Sequence, residues 1–278
     1  MNSMKRAFVC FAVMAFLPVL VGAQQFTKEA DNAFENEAYF EAIDLYKKAY
    51  SKESDAEEKA RMLFQIAESY RKILDYEQQI IWYDKALRAQ YDDPDAFFYL
   101  AQAYHRQGDF TQAIEYYEKF KDAATDGGTY KAEVGIEQCE LAREFRDNPT
   151  RYLVQNEILL NSSEYDFAPG WAGEDYSTIY FGSSRQGAQG MEIDLRTGES
   201  FQDIFFTTRD QKGKWSEPER LTYRINTVHN EATPHLTDKF DMMLFTRCES
   251  TKDENKGCDV MVSRKTDDTW STAQVLEV

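Results

Sequence analysis

Apolar positions along the chain follow two rhythms. From about Gln25 to Asn148 they recur at helical spacing with few β-branched runs; from about Tyr152 onward they fall in short β-rich runs between polar turns. Asp147, Asn148 and Pro149 mark the break as a helix-stop signal. The pattern predicts α + β as separate domains, an all-α half and then an all-β half, because helices and strands do not alternate. Ahead of both, Lys5 and Arg6 precede the uncharged apolar run Ala7 to Val21, and Val21, Gly22 and Ala23 place small residues before Gln24. The run is shorter than the about 20 residues a membrane helix needs, so it reads as an export signal cleaved between Ala23 and Gln24. A retained anchor is the weaker reading, since no stop-transfer pattern follows; a lipoprotein is weaker still, since Cys10 lies inside the run. The expected divisions are a signal over 1–23, a helical domain over 24–148 and a strand domain over 149–278.

The helical half repeats. Leu100, Ala101 and Tyr104 are followed by Gly108, Phe110, Ala113, Ile114 and Tyr117; Ile66, Ala67 and Tyr70 by Tyr76, Ile80, Tyr83 and Ala86; and Ala42, Ile43, Tyr46 and Ala49 belong to an earlier copy. Small residues let paired helices approach and the tyrosines fill the gaps. This pattern resembles the tetratricopeptide repeat, whose period is about 34 residues. The first copy departs from it, with Glu29 and Ala33 where Leu and Tyr are expected. Tyr130 to Arg146 reads as a final capping helix with Cys139 on its apolar side.

The strand half repeats as well. Asn161 to Pro169 aligns with Asn226 to Pro234, Tyr180 and Phe181 with Leu244 and Phe245, Asp203 to Phe206 with Asp259 to Val262, and Trp215 and Ser216 with Trp270 and Ser271. The offset shrinks along the alignment, so one loop between the second and third strands is longer in the first copy. Each copy holds about four short strands, the content of a β-propeller blade; a sandwich of irregular hairpins is the competing reading. Two blades cannot close a ring, so the expectation is an incomplete propeller, completed by blades beyond Val278 or from elsewhere.

The order of signal, tetratricopeptide repeats and PD40-type blades resembles the large OmpA-family envelope proteins, and in particular the PorE-type components of the type IX secretion system. Ile136 to Ala142 with Asn148 and Pro149 resembles the family's cap helix and exit. Asn161 to Pro169 with Tyr180 to Arg185 resembles its blade start and second strand, and Asp194 to Asp203 its inter-strand insertion. The resemblance implies a non-enzymatic periplasmic scaffold at the outer membrane whose partners are other envelope or secretion-system proteins. It implies peptidoglycan binding only through a carboxy-terminal domain that these residues do not include.

Composition narrows the partners. The 278 residues are 42% hydrophobic and 14% aromatic, enough to bury a core, yet 49 acidic residues face 32 basic ones for a formal charge of −17. That balance argues against nucleic acid and against an anionic membrane surface as partner. No catalytic constellation, cofactor motif or metal site is expected. His105, His229 and His235 lack zinc-helix spacing, Gly182 to Gln186 lacks the second glycine of a nucleophile elbow, and Asp253 to Gly257 falls short of a calcium loop. A general periplasmic peptide-binding or assembly module remains an alternative, as does, more remotely, the non-catalytic front of a propeller peptidase.

Two sets of residues carry the functional expectations. By resemblance, Phe64, Glu68, Arg71 and Lys72 of one repeat, and Phe98, Gln102, His105 and Arg106 of the next, line a concave partner-binding face. The alternative for the phenylalanines is packing against the next helix. Without Cys10 three cysteines remain. Cys139 reads as a small buried hydrophobe, whereas Cys248 and Cys258 flank a polar hairpin tip and are candidates for a disulfide, provided the strand register brings them opposite each other.

Overall fold

The computed structural model describes residues 25–125, 127–189, 193–250 and 255–277. The chain divides into two compact units at Tyr152/Leu153. Among the described residues the first unit holds seven helices: α1 (25–35), α2 (Tyr39–Lys52), α3 (Ala56–Lys72), α4 (Tyr76–Arg88), α5 (Asp95–Arg106), α6 (Phe110–Ala123) and α7 (Gly128–Asp147).

The helix boundaries follow from local chemistry. Asp55, Asp75 and Asp109 cap α3, α4 and α6, each accepting from the backbone N–H three residues on. The turns inside the three helix pairs share one closure. Ala38, Asp75 and Asp109 donate back to the carbonyls of Ala33, Tyr70 and Tyr104, around a residue of positive φ. That residue is Gly108 in the third pair but Leu74 (φ 63°) in the second and Glu37 (φ 61°) in the first.

The repeated small and aromatic positions form the core. Ala42, Tyr46, Ala67, Tyr83, Ala101, Ala113 and Tyr117 are all buried. Gly135 lets α7 settle onto α6, since a Cβ there would stand 2.5 Å from the Tyr117 ring. Cys139 is buried beside it in the cluster of Ala113, Tyr117, Phe120 and Ala132.

The second unit is built from two antiparallel sheets. The first runs β1 (Asp166–Trp171), β2 (Thr178–Ser183), β3 (Asp203–Thr208), β4 (Glu219–Arg220) in that order. The second runs β5 (Asn230–Leu236), β6 (Met242–Ser250), β7 (Asn255–Thr266), β8 (Thr269–Trp270), with β9 (Gln274–Val275) also on β7. Their registers superimpose pair by pair. Asp166 faces Ser183 as Glu231 faces Arg247, and Phe181 faces Phe205 as Phe245 faces Met261. Phe205 faces Arg220 as Met261 faces Val275. Both first strands carry a register shift at the same place, around Ala168 (φ 50°) and Thr233 (φ 53°).

Side-chain bonds repeat with the backbone. The Thr207 hydroxyl donates to the Ser216 carbonyl at 2.8 Å, and Ser263 to Ser271 at 2.7 Å. The sheets share one core of Tyr180, Ile204, Leu221, Ile225, Leu236, Met243, Phe245, Met261 and Trp270, across which the Trp270 indole donates to the Tyr180 hydroxyl at 3.3 Å. The longer loop expected in the first copy is the stretch between β2 and β3, where Ile193 bridges Ser200 and Asp194 N donates to Glu199 O at 2.8 Å. Strands β6 and β7 run further than the apolar runs alone suggest, and take both Cys248 and Cys258 into the ladder. Strands β1 to β4 thus match β5, β6, β7 and β9, two copies of one four-stranded unit, while the place of β8 is taken in the first copy by the Arg209–Trp215 bridge.

Candidate functional site

The eight expected groove residues lie on α3 and α5, but burial separates them. Phe64 and Glu68 are only 8% and 7% exposed. Phe64 stacks on Tyr91 at 4.4 Å and meets Tyr83 edge-on, so it belongs to the core that joins α3 to α4. Glu68 receives the Tyr83 hydroxyl and a two-pronged contact from Arg71, at 2.9 and 2.5 Å. Both residues therefore lie beneath the exposed positions of α3, bonded and packed within the helical unit. The single-helix spacing that puts them beside exposed positions carries no information about how close α4 comes.

Phe98 is half-buried and packs on Tyr99, Tyr117 and Phe120. His105 is half-buried, edge-on to Phe110 and Tyr117; burial, aided by neighbouring Arg106, lowers its pKa and keeps the ring neutral near pH 7. Lys72, Gln102 and Arg106 are exposed, and Arg71 is half-buried with its guanidinium 4.3 Å above the Tyr99 ring. Tyr99 and Tyr39, whose ring lies 5.7 Å from the Lys72 ammonium, join this surface although the repeat pattern did not single them out. The spacing of aromatic to basic residues was the available signal, but only the folded helix pairs bring them together.

Glu68 sets the protonation of the two groups that bond to it. Burial works against the Arg71 cation, but hydrogen bonds and charge from Glu68 outweigh it and raise the guanidinium pKa further. Burial and the Glu68 carboxylate together push the Tyr83 phenol far above its ordinary range, so it stays a donor. The result is an arginine held between Glu68 and the Tyr99 ring, with exposed Lys72 and Arg106 on the same two helices.

The strand unit contains two matching clasps. Ser162 N and Oγ donate to Asp166 at 2.5 and 2.7 Å, and Arg185 holds Asp166 at 2.6 Å while reaching the Leu160 carbonyl. In the second copy Thr227 N and Oγ1 donate to Glu231 at 2.9 and 2.6 Å, and Arg247 holds Glu231 at 2.6 Å while reaching the Ile225 carbonyl at 2.9 Å. Against burial, the Arg185, Ser183 and Ser162 bonds hold Asp166 below the usual carboxylate range.

Asp203 is displaced in the opposite direction to Asp166. It is fully buried, and burial pushes its pKa up to about 6, with the Glu231 charge adding to the rise against a bond from Gln189 N and the Arg220 guanidinium at 3.5 Å. Its Oδ1 has no hydrogen-bond partner among the described residues.

Cys248 and Cys258 face each other in the β6–β7 ladder and are joined as a disulfide. The expected cleavage site at Ala23 and Gln24, and Asp253 and Glu254 of the hairpin tip, lie outside the described residues. Among the described residues no helix is long and apolar enough to cross a membrane, and no cluster of three or more His, Cys, Asp or Glu could hold a metal ion.

Comparison with known proteins identifies tetratricopeptide repeats at residues 60–93 and 83–128. Such repeats are protein-interaction modules. No curated protein matches the chain. Among solved structures, the Sgt2 tetratricopeptide domain from Aspergillus fumigatus is 23% identical, covering 49% of this chain and 88% of its own, with a TM-score of 0.40. The myosin chaperone UNC-45 from C. elegans, solved with a Hsp90 peptide, is 21% identical over 46% of this chain and 14% of its own, with a TM-score of 0.40. PcrH from Pseudomonas aeruginosa is 16% identical over 44% of this chain and 91% of its own, with a TM-score of 0.36.

Proposed function

We propose that this chain is a non-enzymatic scaffold of the cell envelope, exported by its amino-terminal signal. In this reading it is held in the periplasm at the outer membrane through partners and serves protein secretion of the type IX kind. Tetratricopeptide repeats make protein binding its basic role. The order of signal, repeats and blade-like strand units supports the finer reading, and the two matched four-stranded units support an incomplete propeller. The observation that carries the choice of binding face is the cationic surface of α3 and α5. Arg71 lies over Tyr99 and Lys72 near Tyr39, and Arg106 is exposed on α5, in a chain of formal charge −17. Such a surface fits a carboxylate-rich segment of an envelope protein, with stacking and charge-assisted hydrogen bonds supplying affinity.

The test is in-cell cross-linking of the full chain, with partners identified by mass, alongside Lys72→Glu with Arg106→Glu. Both substituted side chains are exposed, so the variant should fold as the parent does. The expected result is a periplasmic chain starting at Gln24 that captures envelope partners, and a variant that loses them. A cytoplasmic chain starting at Met1, or unchanged capture by the variant, overturns the reading.

A further inference from the structure

One side chain organises the contact between the two strand units. Asn226, fully buried, accepts from Ile204 N at 2.8 Å and donates to the carbonyls of Ile204 and Leu221 at 2.9 and 3.0 Å. It seats on an edge already set by Leu221 N, which donates to Ile204 O at 2.9 Å.

Both halves of this contact occur a second time. The receiving edge recurs on the second unit. There Leu276 N donates to Val260 O at 2.8 Å, and Val275 and Gln274 pair with Met261 and Val262 as Arg220 and Glu219 pair with Phe205 and Phe206. The inserting side chain recurs on the first unit, where Asn161 precedes the Ser162–Asp166 clasp just as Asn226 precedes the Thr227–Glu231 clasp.

These second halves are not engaged with each other. Asn161 is exposed and its amide donates to Asn156 at 2.5 Å. Val260, Val275 and Leu276 are 44%, 53% and 37% exposed, where Ile204 and Leu221 are 0% and 7%. Leu160 is half-buried where its counterpart Ile225 is fully buried.

We infer that the chain associates head to tail with a second copy of itself: Asn161 of one copy seats on the Val260–Leu276 edge of the next, repeating the contact Asn226 makes inside each copy. The interface is heterologous, so each copy offers one half to each neighbour, and the assembly grows until its rotation closes a ring. Copies that share a large net negative charge repel, so association strengthens as salt rises. This inference stands on the repeat geometry and is independent of the scaffold reading, whose test is partner capture.

Sedimentation velocity of the purified chain across a concentration series at moderate salt, with circular dichroism to verify folding, tests it. The parent should show concentration-dependent oligomers. Asn161→Ala and Leu276→Asp should each be monomeric, and an equimolar mixture of the two should form a one-to-one dimer and nothing larger, since each variant retains the half that the other has lost. Val260→Lys serves in place of Leu276→Asp if that variant misfolds. A parent that is monomeric throughout, oligomers that persist in both variants, or a mixture that stays monomeric would each overturn the proposal.

Discussion

The Tyr83 hydroxyl donates to the Glu68 carboxylate in the interior between α3 and α4, and both residues are buried. Arg71 completes the arrangement from the rim, so a carboxylate sunk into an aromatic core has its acceptor capacity met by a phenol and a guanidinium. Removing the cation leaves Glu68 charged and under-compensated. Arg71→Met should destabilise the helical unit by roughly 2 to 3 kcal/mol, below the cost of a fully buried pair because the guanidinium is partly solvated. Tyr83→Phe deletes one neutral donor and should cost about 1 kcal/mol. Denaturant unfolding measures both; equal costs would show that the guanidinium matters no more to Glu68 than the phenol does. Arg71 substitutions thus report on stability, which is why binding is better probed at Lys72 and Arg106.

The α3–α4 turn holds Leu74 at φ 63°, where its side chain is 62% exposed. A left-handed backbone strains any residue with a Cβ, and little burial compensates here. The equivalent turn between α5 and α6 uses Gly108. Leu74→Gly should therefore stabilise the protein by about 1 kcal/mol, whereas Gly108→Ala should destabilise it by a similar amount. A thermal melt of the two variants beside the parent reads both signs, and a destabilised Leu74→Gly would mean that the leucine makes a contact that outweighs its strain.

The repeats were legible because they depend on residue type at fixed spacing. Tyr83 and Tyr117 are buried where the period placed them, and the shrinking offset between the strand copies reappears in their registers and in the longer β2–β3 stretch. Burial of individual polar residues was not legible, because it depends on what a neighbouring element brings. Glu68 shares a helix face with Lys72, yet Tyr83 arrives from α4 to cover only the former. Asp203 and Asp259 align in sequence, but Asp203 is fully buried and Asp259 exposed. The second sheet packs on the first, and among the described residues no further sheet packs on the second. Leu74 at a position suited to glycine was equally hidden, since the turn is set by backbone bonds that tolerate a strained side chain.

Asp203 gives the strand unit a pH dependence. Its folded pKa of about 6 stands above the ordinary 3.8, so between these values the folded chain keeps a proton that the unfolded chain has released. The group's contribution is fully present below pH 4 or so and is lost as pH rises through about 6. A rise of roughly two pH units corresponds to about 2 to 3 kcal/mol. Asp203→Asn keeps an acceptor for Gln189 N and removes the buried charge. It should stabilise the protein by roughly 2 kcal/mol at pH 7.5 and by almost nothing at pH 4. Urea unfolding at the two pH values decides this, and a gain equal at both would rule out ionisation of Asp203 as its source.

The disulfide gives the last expectation. Cys248 and Cys258 are directly opposed across β6 and β7, ten residues apart in sequence, and Cys139 is buried as a thiol whose pKa burial pushes up to about 11. An oxidising compartment allows the pair to close, and closing a short loop removes freedom mainly from the unfolded chain. Exported protein, unfolded without reductant, should titrate one free thiol, whereas protein retained in a reducing cytoplasm should titrate every cysteine. Cys248→Ser with Cys258→Ser should cost the strand unit roughly 2 to 3 kcal/mol under oxidising conditions. The same double substitution should cost much less once the parent is reduced, because both chains then carry the same unconstrained hairpin. Three free thiols in the mature exported protein would dismiss the bridge. An equal loss of stability with and without reductant would assign the effect to packing rather than to the cross-link.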